Sequence, residues 1–167
     1  MDVMVEDDSY LGSLRGVYVL VLRFLKDVAV RVGSLGEVRF NFGYYGYVGS
    51  GMGRGASSLF GRIRRHLSNS KLIFWHIDYV TSLDEVKVAA VFFAESGTRL
   101  EHAVSKALKA VGAIVVRGFG SSDCDEGCGG HMFFIGNSLE EAFSTIFNAF
   151  KKLGIESKVL SFPKEAW

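Results

Sequence analysis

A single proline, Pro163, stands in the whole chain, close to its C-terminus. No stretch before it has the proline-rich composition of a linker. The 167 residues are therefore expected to form one domain over 1–167, with a core at about 15–112 and an extension at 113–167. Only two cysteines occur, Cys124 and Cys128, too few for a secreted disulfide scaffold. No apolar run reaches the roughly eighteen residues that a membrane span needs. The opening segment Met1–Tyr10 is acidic and lacks the basic start and apolar run of a secretory signal. These absences lead to the expectation of a cytoplasmic, intracellular protein with no membrane partner. One further absence is local: no acidic residue occurs between Glu37 and Asp78, although the net charge of the chain is only +1.

That acid-free interval holds Arg39, Arg54, Arg62, Arg64, Arg65 and Lys71. Distant acids are screened beyond about 10 Å, so a local basic face can attract phosphates on a near-neutral protein. Arg54, Arg64, Arg65 and Lys71 are candidate nucleic-acid contacts on this ground. The competing reading is a solvated helix face, which arginines on one helix commonly make.

Apolar residues make up 49% of the chain, enough for a full core. Arg15–Phe24 reads as a buried strand, rich in β-branched and apolar residues. Val28–Val32 and Glu37–Phe42 read as a hairpin about Gly33–Gly36, and Tyr44–Val48 as the next strand. The short turns joining these segments imply antiparallel pairing. A helix capped by Ser57 or Ser58 runs to Leu67, with Leu59, Ile63 and Leu67 as its core stripe. Leu72–Thr81 alternates as a strand would, and Val86–Phe93 is a further strand. Thr98–Val111 is patterned as a helix with a capping box between Thr98 and Glu101. Ala113–Val116, His131–Ile135, a helix begun at Ser138 and ended at Gly154, and a last strand within Ser157–Phe162 complete an α+β fold. Its centre is a small antiparallel or mixed β-sheet flanked by helices, with a hairpin insertion and a C-terminal strand-helix extension.

Tyr44–Leu67 joins an aromatic strand, a glycine-rich turn and a helix start. Backbone N–H groups and the helix dipole converge at such a corner, which predicts anion binding. Gly51 to Ala56 matches G-x-G-x-x-A, but antiparallel strands precede it and no βα alternation follows, so a dinucleotide site is not expected. His76 and Asp78 would share one strand face, as a catalytic pair or as a structural hydrogen-bonded pair. Cys124, Cys128 and His131 suit Zn²⁺ if His76, His102 or a nearby aspartate supplies a fourth ligand. Free thiols or a local disulfide are the alternatives. Gly118–Asp123 is another turn with exposed N–H groups, which would bring Ser121, Ser122 and Asp123 to the border of the same cleft.

Gly16-Val17-Tyr18 on the first strand, Tyr47-Val48-Gly49 on a later one, and Arg62 and His66 on the following helix resemble the GIY-YIG nuclease family. Glu101, near the start of the next helix, fits that family's metal-binding glutamate. The late asparagine of the pattern has no counterpart, since Asn137 and Asn148 stand in other settings. YVGSG at 47–51, RIRRHL at 62–67, WHIDY at 75–79 and GFGSSDC at 118–124 more narrowly resemble the DUF123 branch, a GIY-YIG-like domain sometimes found beside DNA-repair enzymes.

The resemblance implies a GIY-YIG-like fold and an endonuclease that hydrolyses DNA with one Mg²⁺ or Mn²⁺ ion, with a DNA-repair protein as a conceivable partner. Tyr18, helped by Tyr47, would orient or deprotonate water, with Arg62 lowering its pKa. Arg62 would contact the scissile phosphate, His66 would assist proton transfer or bind phosphate, and Glu101 would hold the hard ion. Without the resemblance, the tyrosines read as sheet aromatics, Arg62 as a surface arginine and Glu101 as a capping residue. Two other functions compete: a catalytically inactive nucleic-acid-binding module on the same scaffold, and a small zinc-stabilised domain with a protein partner.

Overall fold

The computed structural model describes residues 12–120 and 127–162. At its centre lies β1 (Gly16–Phe24), and its residues alternate between two separate cores. Val17, Val19 and Val21 enter one core, and Tyr18, Leu20, Leu22 and Phe24 enter the other. A strand covered on both faces has no reason to carry polar residues, which explains its continuous apolar run.

Around it, β4 (Gly43–Gly51) and β5 (Val86–Glu95) pair antiparallel with β1. The sheet continues through β6 (Ile114–Val115), β7 (Met132–Gly136) and β8 (Lys158–Ser161) in the order β6-β7-β4-β1-β5-β8, with every pairing antiparallel. A separate ribbon pairs β2 (Val28–Val32) with β3 (Gly36–Phe40), in register Val30 to Val38. This is the α+β fold that the segment pattern predicts.

The odd face of β1 is covered by α3 (Glu101–Ala110) and α4 (Leu139–Lys152), through Val104, Leu108, Ile146 and Phe150. The even face receives α1 (Leu59–Leu67) through Leu59 and Ile63, and α2 (His76–Thr81) through Ile77 and Val80. The ribbon adds Val32 and Phe40. No helix among the described residues is long and apolar enough to cross a membrane.

Three sequence expectations change here. Leu67 is 39% exposed, and His66, at 2%, takes the buried position at the end of α1. Residues 72–81 do not form a strand: the chain runs irregularly to Trp75 and then turns into α2. Asp78 is the cause, because its carboxylate accepts the N–H groups of Phe74 and Trp75 at 2.9 and 2.8 Å, bonds that cap a helix start. Finally, α3 begins at Glu101 with Leu100 as its N-cap and no side-chain cap, so the Thr98–Glu101 capping box does not form. The Thr98 N–H instead donates to Ser96 Oγ at 3.1 Å.

Candidate active site

The glycine-rich corner is built for close packing of backbone. A Cβ at Gly61 would lie 2.1 Å from the Gly55 carbonyl oxygen, and one at Gly51 would lie 2.5 Å from the backbone of Ser58 and Leu59. Several of its N–H groups are engaged internally. Gly53 N–H donates to Ser57 O, Gly55 N–H to Gly12 O, and Leu59 N–H to Leu14 O. Ser58 caps α1 by accepting the Gly61 N–H at 3.0 Å. The expected anion corner therefore works as a packed hinge that aims α1, and the polar side chains lie on the far side of that helix.

They line an open cleft of about 500 Å³, into which Tyr18, Tyr47, Arg62 and Glu101 all project. Four elements supply them. β1 and β4 bring Tyr18 and Tyr47 to the sheet face under α1, α1 carries Arg62, and the first turn of α3 carries Glu101. Tyr18 is 2% exposed, and its hydroxyl lies 2.7 Å from Nε2 of His66, four residues beyond Arg62 on α1. Gly49 makes room for this pair, since a Cβ there would lie 2.4 Å from Tyr18 Cζ and Oη. Tyr47 meets the His66 ring edge-on, with centroids 5.9 Å apart.

Burial is the largest influence on these groups. It raises the Tyr18 hydroxyl well above its ordinary pKa, with neighbouring Tyr47 adding to the rise and Arg62 only partly opposing it. Tyr47 is raised for the same first reason, with Glu101 next. The expected lowering of the tyrosine pKa by Arg62 is thus outweighed. His66 is pushed down to about 4 by burial, although Asp78 pulls the other way. At neutral pH the site holds two protonated tyrosines beside a neutral imidazole.

Arg62 stacks its guanidinium over Trp75, 4.9 Å from the ring centroid. Glu101 has its carboxylate 3.3 Å from Arg99, which also lines the cleft. The loss of the capping box leaves the glutamate free of that structural duty, and its oxygens are hard donors of the kind Mg²⁺ or Mn²⁺ prefers. His76 reaches the cleft wall, where its Nδ1 accepts the Gly120 N–H at 3.0 Å.

The remaining basic candidates separate. Arg65 donates to the buried Asp78 carboxylate at 2.8 Å and lies 4.8 Å from the Trp75 ring centroid, so it holds the 72–78 segment. Burial raises the Asp78 carboxyl, but the N–H donors of Trp75 and Phe74 and the Arg65 guanidinium outweigh it and leave the pKa lowered. Lys71 donates to the carbonyls of His66 and Ser68 and caps the end of α1. Arg54 and Arg64 stay exposed, Arg64 beside a second recess formed with Gly55 and Ala56. His76 and Asp78 do not form the expected face pair, because one meets the cleft and the other is buried in the cap. Ser121, Ser122, Asp123 and Cys124 lie outside the described residues.

A cluster able to hold a metal joins His102, Cys128 and His131, whose ligand atoms all lie within 4.8 Å of one another. His102 and His131 also line the cleft. Sequence reasoning did not anticipate Trp75 and Phe74 at the cleft. Their signal was hidden by the strand-like alternation of Leu72–Thr81. A helix-capping aspartate three residues after Trp75 was the available clue.

The family model for DUF123, a domain of unknown function, matches residues 17–154. No curated protein and no solved structure matches the chain.

Proposed function

For a chain that belongs to the DUF123 family, whose description assigns no activity, we propose a divalent-metal-dependent endonuclease that hydrolyses DNA phosphodiester bonds on a GIY-YIG-like scaffold, in repair or related processing. The observation that carries this reading is the convergence of Tyr18, Tyr47, Arg62 and Glu101 on one open cleft. These residues come from four elements that are remote in sequence, and a merely structural set would have no reason to share a solvent-open wall.

The residue chemistry supports phosphodiester hydrolysis. Arg62 presents a planar fork that suits two oxygens of a phosphate, and Trp75 braces it. The Tyr18 hydroxyl lies against a neutral imidazole. Tyr18 can therefore pass its proton to His66 Nε2 as it takes one from water, a route that does not require a standing phenolate. Tyr47 beside it orients the same water. Glu101 would hold one Mg²⁺ or Mn²⁺ ion, which supplies neutralisation of the charge developing on the phosphate.

The test is cleavage of nicked, branched and single-stranded DNA with Mg²⁺ or Mn²⁺, comparing wild type with Arg62→Ala and Glu101→Ala. Each substitution is expected to lower the rate by on the order of 100-fold or more, the usual cost of removing one group that stabilises developing charge. Wild type that binds DNA in a salt-sensitive way and cuts no substrate would instead establish a binding module.

A further inference from the structure

At the cleft wall, which His102 and His131 help to line, three soft or borderline donors meet. His102 stands on the first turn of α3, Cys128 in the loop before β7, and His131 one residue before β7. Cys128 is 0% exposed and His131 5%. The Cys128 sulfur lies 3.7 Å from Nδ1 of His102 and 3.7 Å from Nε2 of His131. A tetrahedral ion bonded at about 2.3 Å to sulfur and about 2.0–2.1 Å to nitrogen separates those atoms by about 3.6 Å. Both sulfur–nitrogen distances match that edge.

The donors are held in place. The His131 main chain is fixed from both sides, its N–H donating to Phe119 O and its carbonyl accepting the Val48 N–H at 2.8 Å each. Gly127 and Gly129 flank the buried Cys128 with φ of 75° and 76°, left-handed conformations that glycine adopts without strain. Thiolate and imidazole select zinc-class ions over Mg²⁺ or Mn²⁺, so this set differs in kind from the carboxylate at Glu101.

We propose that His102, Cys128 and His131 bind one zinc-class divalent ion that clamps the start of α3 to the entry of β7, and that thiol oxidation controls access to it. Cys128 is disulfide-bonded in this structure. Two electrons and two protons from a dithiol convert that disulfide into two thiols. The incoming ion then displaces the Cys128 thiol proton and binds the sulfur as thiolate. Glu101 neighbours His102 on α3, so the clamp also fixes the glutamate of the cleft; that consequence alone rests on the nuclease reading.

The experiment is anaerobic titration of the full chain with Co²⁺, then Zn²⁺, with and without prior reduction by a phosphine. Reduced wild type is expected to bind one equivalent of Co²⁺ with a thiolate-to-cobalt charge-transfer band and tetrahedral d–d absorption, both abolished by Zn²⁺. Oxidised protein should lack the charge-transfer band. His102→Gln, at a partly buried position in the first turn of α3, should weaken binding by more than the roughly 10–100-fold cost of losing an outer partner. Cys128→Ser should lose the charge-transfer band, and Glu101→Ala should keep it. Reduced wild type without that band, or His102→Gln binding as wild type does, would overturn the site. Cobalt binding without DNA cleavage would leave the clamp standing and remove the nuclease reading, and cleavage without the band would do the reverse.

Discussion

A tyrosine that is 2% exposed on a central strand does not ionise readily, since burial penalises the phenolate. Its bond to His66 is therefore the feature that gives Tyr18 a chemical role, and Gly49 is what permits the bond. Gly49→Ala would place a Cβ 2.4 Å from the Tyr18 ring and hydroxyl and drive the phenol away from Nε2. We expect this variant to lose most of any cleavage activity while still folding, to be checked by activity and circular dichroism on the same sample. His66 also makes a pH prediction. Its pKa falls from 6.5 to about 4 on folding, so between those values the unfolded chain binds the extra proton. Stability contributed by neutral His66 is complete above pH 6.5 and is lost as pH falls towards 4, by about 3 kcal/mol in total. His131, also lowered by burial, acts in the same direction. Urea unfolding at pH 7 and pH 4.5 should show a smaller drop for His66→Gln than for wild type. Equal drops would mean that His66 is not held neutral.

At the scale of elements, the segment 72–81 decides the shape of the cleft mouth. Its composition, Leu-Ile-Phe-Trp followed by alternating apolar residues, favours a strand, and the sequence reading followed it. The structure follows Asp78, whose buried carboxylate binds two backbone N–H groups and Arg65 at once. Local propensity loses to a buried charge that gathers three donors on its Oδ2. Glu101 shows the reverse error: a capping-box pattern is present, but Ser96 takes the role expected of Thr98's partner and leaves the glutamate to the cleft. Strands β1, β4 and β5 and helices α1 and α4 were legible because period and caps agreed there. Asp78→Ala should cost about 1–3 kcal/mol in urea unfolding, since it leaves the Phe74 and Trp75 N–H groups and the partly exposed Arg65 without their acceptor. A loss below about 0.5 kcal/mol would contradict the cap. The same cap holds Phe74 78% exposed at the cleft rim. A base stacked on an aromatic side chain gains about 1–3 kcal/mol. Phe74→Ala should therefore weaken binding of single-stranded DNA by about 10-fold and of intact duplex by much less.

At the scale of the whole molecule, the question is how a chain of net charge +1 would hold a polyanion. Beyond Arg39, which pairs with Glu37 on β3, the charges of the acid-free interval lie on α1 and in the segments just before and after it. The structure divides those charges by task. Arg65 and Lys71 are bound to protein acceptors and hold the scaffold. Arg62 faces the cleft, while Arg54, next to Gly55, is exposed and Arg64 lies exposed beside the recess formed with Gly55 and Ala56. A nucleic-acid backbone seated on Arg62 would thus extend across α1 towards that recess. Counterion release sets the signature of such a track, with log K falling by about 0.9 per phosphate neutralised for each unit of log salt concentration on duplex DNA. Arg54→Ala combined with Arg64→Ala should therefore reduce the salt slope by about 2 and weaken binding alike for all sequences. Single-turnover cleavage of bound substrate should change little, because neither side chain enters the cleft. Arg65→Ala should act differently, lowering stability through Asp78 with no specific change in slope. A slope that drops with Arg65→Ala and not with the Arg54 and Arg64 pair would place the nucleic acid on another face of the molecule.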